Sequence, residues 1–217
     1  MASVILLPDI VYSVGKIIGV GQNYAEHVAE MGAEQNRPPV LFLKPPTAIL
    51  TEGKPIKLPD YSTNIHHEIE LALLIGQTAK NIKKEDWRKF VFGAGIALDL
   101  TLRDLQRQAK DRGEPWSVSK GFDGACPISK FTPLTEIPHL NNLQLELEVN
   151  HNLRQKGSTA AMIYPVDQLI AYISTYFTLE QGDIILTGTP SGVGKIVSGD
   201  FIQARIIGLG EIEFKVE

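Results

Sequence analysis

The sequence predicts an α+β fold, rich in short mixed strands and carrying only a few short helices. Two observations support this. Period-two alternation recurs along the chain, most strictly in Leu143-Gln-Leu-Glu-Leu-Glu-Val149, and core-facing helical spacing is sustained only between Pro165 and Phe177. Strands and helices also fail to alternate regularly, which argues against a βαβ array and its parallel sheet.

In chain order, Lys16-Ile-Ile-Gly-Val-Gly21 is a short buried strand. Asn23 to Met31 is a short helix capped by Asn23, with Ala25, Val28 and Ala29 at helical spacing. Val40 to Lys44 forms a strand that Pro45 and Pro46 stop. His66 to Ile75 reads as one strand with Ile69, Leu71, Leu73 and Ile75 on one face. Lys83 to Lys89 suggests a surface helix, Gly95 to Leu100 a strand, and Thr101 to Arg112 a polar helix ended by Gly113. Asn150-His-Asn152 is a hairpin turn into Leu153. Val166, Leu169, Ile170, Ile173 and Phe177 recur at helical spacing behind Pro165, which suits a first helical turn. Strands at Asp183 to Thr187, Phe201 to Ile207 and Glu211 to Val216 complete the chain.

At 217 residues, 43% hydrophobic and 21% charged, the chain can bury a sizeable core as one domain spanning 1–217, and no linker or repeat divides it. Its 21 basic against 25 acidic residues form no footprint for nucleic acid or an anionic membrane, so neither partner is expected. The lone Cys126 cannot pair within the chain, which points to a reducing, cytoplasmic compartment. Residues 1–8 lack the basic start and the length of a signal peptide or membrane span, so a soluble protein is expected.

Several tempting motifs fail on spacing. Gly19-Val-Gly21 lacks the third glycine of a dinucleotide loop, that position being Tyr24. Gly188 to Lys195 has Thr189 where a phosphate loop needs glycine, and Ile196 where it needs a hydroxyl. His67 is followed four residues later by Leu71, which excludes a zinc-protease helix. No motif surrounds Cys126.

What remains is a set of carboxylates. Residues two apart on a strand share a side, so Glu68 and Glu70 project together, opposite Ile69, Leu71 and Leu73. Their repulsion calls for a cation between them; a Lys or Arg across a solvated sheet face would serve as well as a metal, and spacing alone does not decide. Asp99 adds a third charge inside the apolar run Ile96-Ala-Leu-Asp-Leu100, where an unpaired carboxylate is costly to bury. Three carboxylates from two strands make a hard oxygen site suited to Mg2+ or Mn2+ and less to zinc.

Six segments in order, Gly21-Gln-Asn-Tyr-Ala-Glu-His27, Phe42-Leu-Lys-Pro-Pro46, His67-Glu-Ile-Glu-Leu71, Leu98-Asp-Leu-Thr-Leu-Arg103, Lys120-Gly-Phe-Asp123 and Gly182 to Gly194, resemble the successive signatures of the fumarylacetoacetate hydrolase superfamily. The resemblance covers the chain from about residue 16 and is closest to the compact acylpyruvase and oxaloacetate decarboxylase branch. It implies a mixed β-sandwich roll, a Mg2+ or Mn2+ ion held by Glu68, Glu70 and Asp99, and a homodimer. It also implies a catalytic dyad of His27 and Glu30 on a lid helix, whose three-residue spacing shares one helical face, with Lys120 stabilising enolate charge. Tyr24, Lys44, Arg103, Gln106 and Thr189 match substrate-pocket or pocket-supporting positions.

The resemblance implies carbon–carbon bond cleavage in a small 2-oxo acid: acylpyruvate hydrolysis, oxaloacetate decarboxylation, or both. Fumarylpyruvate hydrolysis, or decarboxylation and isomerisation in aromatic catabolism, is the alternative on the same scaffold. A non-catalytic metal-binding homologue is the alternative of another class; His27, Glu30 and Lys120 argue against it, because holding a metal requires none of them. One departure is Gln22, where relatives commonly carry arginine, which leaves the substrate range open. The lid hinge near Gly21 to Asn23 is expected to be mobile.

Overall fold

The computed structural model describes residues 2–32, 38–137 and 139–217. Its architecture is the expected α+β type, a strand-dominated roll with short peripheral helices. The largest sheet is mixed and runs in the order Val40–Lys44, Ile17–Gly21, Ile184–Leu186, Ile69–Ile75, Val91–Leu98, Cys126–Ile128, Ile49–Thr51, with Thr132–Pro133 also paired to Val91–Leu98. An antiparallel four-stranded sheet, Asn152–Ser158, Gln144–Val149, Phe201–Ile206 and Gly210–Lys215, packs against Ile69–Ile75 and Val91–Leu98. Both faces of Ile69–Ile75 are consequently covered, and every residue in it is buried.

A third, three-stranded sheet decides where the site lies. It joins Gly194–Ile196, Ile65–His67 and Thr101–Leu102. The predicted single strand His66 to Ile75 is therefore two strands broken at Glu68, and the predicted strand Gly95 to Leu100 begins at Val91 and ends at Leu98. Both chains change sheets at the same level. Ile69 pairs with Leu98 and Glu70 with Ala97 in the large sheet, whereas Ile65 pairs with Leu102 in the small one. Between the two ladders the Asp99 amide donates to the Glu68 carbonyl at 2.8 Å. Period-two alternation continues through this seam, so the sequence pattern does not register the change of partner.

Among the described residues four α-helices border the sheets: α1 (Ala25–Glu30), α2 (Arg103–Arg112), α3 (Ser117–Lys120) and α4 (Val166–Tyr176). Helix α2 starts two residues later than predicted because Thr101 and Leu102 are taken by the small sheet; it stops at Gly113, which closes it at φ 68°. Helix α4 buries Val166, Leu169, Ile170 and Ile173 as its spacing predicts, with Pro165 at its cap rather than its first turn. The predicted surface helix is present as a 3-10 helix, Lys84–Lys89, with no buried residue. The turn at Asn150 and His151 has positive φ at both residues, the conformation that matches the twist of a tight hairpin.

Asn23 is not the cap of α1. Tyr24 holds that position without a side-chain bond. The Asn23 amide instead donates to the carbonyls of Thr187 (2.8 Å) and Tyr164 (3.2 Å) and accepts from the Tyr164 amide (2.8 Å). Three tertiary bonds at a buried amide outweigh one local cap and pin the base of α1 to two distant segments.

Candidate active site

The seam places Glu68 and Asp99 side by side, and the strand pleat brings Glu70 to the same side. One oxygen from each lies within 4.8 Å of the others, and the three residues are only 4%, 2% and 1% exposed. Charges this buried require partners. Lys120 Nζ donates to Glu68 Oε2 (2.9 Å) and Thr101 Oγ1 (2.7 Å) and also contacts Asp99 Oδ2. Arg103 pairs with Glu68 Oε1 and donates to Gln106 Oε1 at 2.7 Å. Lys44 Nζ lies 2.7 Å from Asp99 Oδ1 and donates to the Ala125 carbonyl at 2.9 Å.

The compensation is uneven. Burial works against charge on Glu68, yet Lys120 and Arg103 hold its carboxyl well below the usual range. Among the described residues Glu70 has no cation in ion-pair contact, only the more distant charge of Lys120, and its one hydrogen bond comes from the Gly188 amide at 2.6 Å. Burial, then Asp99 and Glu68, push its carboxyl well above the usual range. Gly188 reaches Glu70 from φ 96°, and a Cβ there would sit 2.8 Å from Asn23 Cβ, so only glycine lets this amide approach.

This arrangement fits a divalent ion. The donors are hard oxygens at bonding separation, Glu70 is a carboxylate with surplus negative demand, and Asp99 Oδ1 is buried with no hydrogen bond of acceptable geometry despite the nearby Lys44. A cation between them would meet both needs.

Above the triad lies α1. His27 Nδ1 is 3.0 Å from Glu30 Oε2, so the three-residue spacing does bring the pair together. A carboxylate only accepts, so Nδ1 carries the proton of this bond, and in the neutral ring Nε2 is then the acceptor. Glu30 also accepts from the Gly192 amide at 3.1 Å, and Ser191 Oγ donates to Glu26 at 3.0 Å, so α1 is tied down at both ends. Gln22, at the foot of α1, adopts φ 66°, an uncommon conformation for a residue with a side chain.

The resulting pocket is lined by His27, Glu68, Glu70, Asp99, Arg103, Gln106, Lys120 and Thr189 among the expected residues. Tyr24, Glu30 and Lys44 do not line it. Glu30 stands behind His27, Lys44 behind Asp99, and the buried Tyr24 close enough to Glu70 that burial and that charge push its phenol up. Burial likewise pushes the Cys126 thiol up to about 12, which leaves no thiolate nucleophile. Sequence reasoning missed Lys110, Phe42 and Trp116 on the pocket wall. Lys110 was open to detection, since Arg103, Gln106 and Lys110 share one face of α2. Phe42, 4.8 Å beneath Lys120 Nζ, carried no local signal.

Fold and site together define a strand-dominated roll with a buried carboxylate triad that fits a divalent cation. Residues 16–217 match the model of the fumarylacetoacetate (FAA) hydrolase C-terminal family, and the chain belongs to that family. It is 47% identical over 201 residues to the mitochondrial oxaloacetate tautomerase FAHD1 of Bos taurus, covering 93% of this chain and 91% of that protein. It is 48% identical over 195 residues to the mitochondrial oxaloacetate decarboxylase of Dictyostelium discoideum, covering 89% of each. The crystal structure of fumarylpyruvate hydrolase from Pseudomonas aeruginosa with Mn2+ and pyruvate superposes with a TM-score of 0.95 at 34% identity, covering 99% of this chain and 95% of that one.

Proposed function

We propose that this chain is a divalent-metal enzyme that breaks a carbon–carbon bond in small 2-oxo acids through an enolate, with oxaloacetate and acylpyruvates as its substrates. The observation that carries this is the meeting, in one pocket, of three hard carboxylates, the Lys120 ammonium and the His27–Glu30 pair. Glu68, Glu70 and Asp99 hold Mg2+ or Mn2+, which supplies Lewis acidity toward a 2-oxo acid when bound. Lys120 sets a compact positive charge where negative charge develops on the enolate oxygen. Arg103, Gln106 and Thr189 orient the substrate, while Tyr24 and Lys44 support the pocket from behind. His27 Nε2 takes a proton from water, and Glu30 holds the ring in the tautomer that can do so.

Decarboxylation and hydrolysis share the enolate. In the first, carbon dioxide leaves and no activated water is needed; in the second, water activated by His27 attacks the distal carbonyl and pyruvate enolate leaves. Interconversion of keto and enol oxaloacetate uses the same species, a reading supported by the relative named as a tautomerase. Fumarylpyruvate hydrolysis is the second reading, favoured by the 0.95 TM-score to the Pseudomonas enzyme. The chain acts as one catalytic domain, in the cytoplasm, as a homodimer. Exposed Leu43 and Val118 beside Pro45 and Pro46 support the dimer, since a second copy would cover them. No helix is long and apolar enough to cross a membrane.

The test is pyruvate release from oxaloacetate, acetylpyruvate and fumarylpyruvate with Mg2+ or Mn2+, then with chelator, alongside loss of enol absorbance. Turnover that chelator abolishes is expected; no turnover of any acid in the presence of metal would overturn the proposal.

A further inference from the structure

The pocket wall contains a cation that the proposed chemistry does not use. Lys120 and Arg103, which it does use, stand at the closed end beside Glu68 and Asp99. Lys110 also lines the pocket, exposed at its mouth, and among the described residues it has no carboxylate partner. Its ammonium sits over the Trp116 ring, 5.2 Å from the centroid. A cation–π contact orients an ammonium while leaving it N–H donors that can turn to a pocket ligand. Trp116 is itself steadied by Phe42 at 5.9 Å.

The placement follows from helix geometry. Arg103, Gln106 and Lys110 fall on one stripe of α2, with Lys110 about 10 Å further along the axis than Arg103. Helical side chains lean toward the N-terminus, so Lys110 reaches back along the pocket toward the triad. Partial desolvation of its ammonium against the wall, then the like charge of Arg103, lowers its pKa, with Glu68 opposing.

We infer that Lys110 is a specificity-determining residue that binds the distal carboxylate of a dicarboxylic 2-oxo acid whose inner end lies at the carboxylate triad. This rests on the proposed function and extends it: among the acids the site takes, a diacid such as oxaloacetate gains a contact that a monoacid such as pyruvate lacks. The two differ by the one carboxylate that Lys110 would meet.

The experiment compares wild type, Lys110→Met and Lys110→Arg, loaded with Mn2+, measuring KM and kcat for oxaloacetate and the competitive inhibition constant of pyruvate. Methionine keeps the apolar stem and removes the charge. Lys110→Met is expected to raise the oxaloacetate KM about tenfold, the scale of one charge-assisted hydrogen bond at a partly exposed site. The pyruvate constant should move less than about twofold, and Lys110→Arg should recover most of the loss. Equal changes for both ligands, or none, would overturn the inference while leaving the proposed function standing. A wild type that transforms no oxaloacetate would sink the proposed function and this inference with it.

Discussion

Replacing Glu70 by glutamine separates metal binding from folding, because among the described residues Glu70 is the triad carboxylate with no ion-pair contact. One of its oxygens stands within 4.8 Å of an oxygen on each of Glu68 and Asp99. At an effective dielectric of about 20, each such neighbour repels a charged Glu70 by at least about 3.5 kcal/mol. Lys120 and the Gly188 amide return much of that. Glutamine keeps an acceptor for Gly188 and is neutral without having to take up a proton, so the metal-free variant should gain about 1–2 kcal/mol above pH 4.5, or about 2–8 °C in Tm for a chain of this size. Wild type with Mn2+ at about 100 times its Kd should gain about 2.7 kcal/mol, and Glu70→Gln should lose that response. The sign with pH is also fixed. The folded chain holds a proton on Glu70 above the ordinary value of 4.5, where the unfolded chain has released it. Metal-free wild type should therefore lose stability as pH rises from about 4.5 through the raised folded value, and the variant should show a flatter profile. Calorimetry in chelator across that range, then with added Mn2+, measures all three effects. A Glu70→Gln chain that melts below wild type in chelator, or that keeps the full metal response, would refute the assignment of Glu70 as the uncompensated ligand.

Other substitutions test other parts of the site. Asp99→Ala should abolish metal-dependent pyruvate release and, by leaving the buried Lys44 ammonium unpaired, lower stability by about 3–5 kcal/mol, read from chemical denaturation. His27→Ala should slow acylpyruvate hydrolysis by about 100-fold or more and decarboxylation much less; equal losses in parallel assays would contradict water activation by His27. Gln155, fully buried, receives the Ile69 amide at 3.0 Å, meets His67 Nδ1 at 3.0 Å, and donates to Thr189 Oγ1 at 2.8 Å and the Pro190 carbonyl at 2.9 Å. Gln155→Ala should cost about 3 kcal/mol or more, since several buried groups lose partners at once, and thermal melting would show it.

Much of the architecture was open to reading because it is local. The strict alternation of Leu143 to Val149, the Asn150–His151 turn, the stop at Gly113 and the buried stripe of α4 each follow from short-range geometry that any tertiary setting must respect. The shared side of Glu68 and Glu70 and the meeting of His27 with Glu30 belong to the same class. Asn23 marks the limit: its type and position suit a cap, yet partners more than 140 residues away claim its amide.

By itself the sequence determined the strand-rich class, the turns, and which residue types could serve a hard cation and a general base, since these depend on period, spacing and chemistry within a few residues. Only the tertiary structure decided that two strands exchange sheets at Glu68 and Asp99, that Lys44, Lys120 and Arg103 balance two of the three carboxylates while Glu70 is left without an ion-pair contact among the described residues, and that Lys110 stands at the pocket mouth. Charge compensation is a sum over neighbours in space, and residues as distant in the chain as Lys44 and Asp99 become neighbours only once the sheets are assembled.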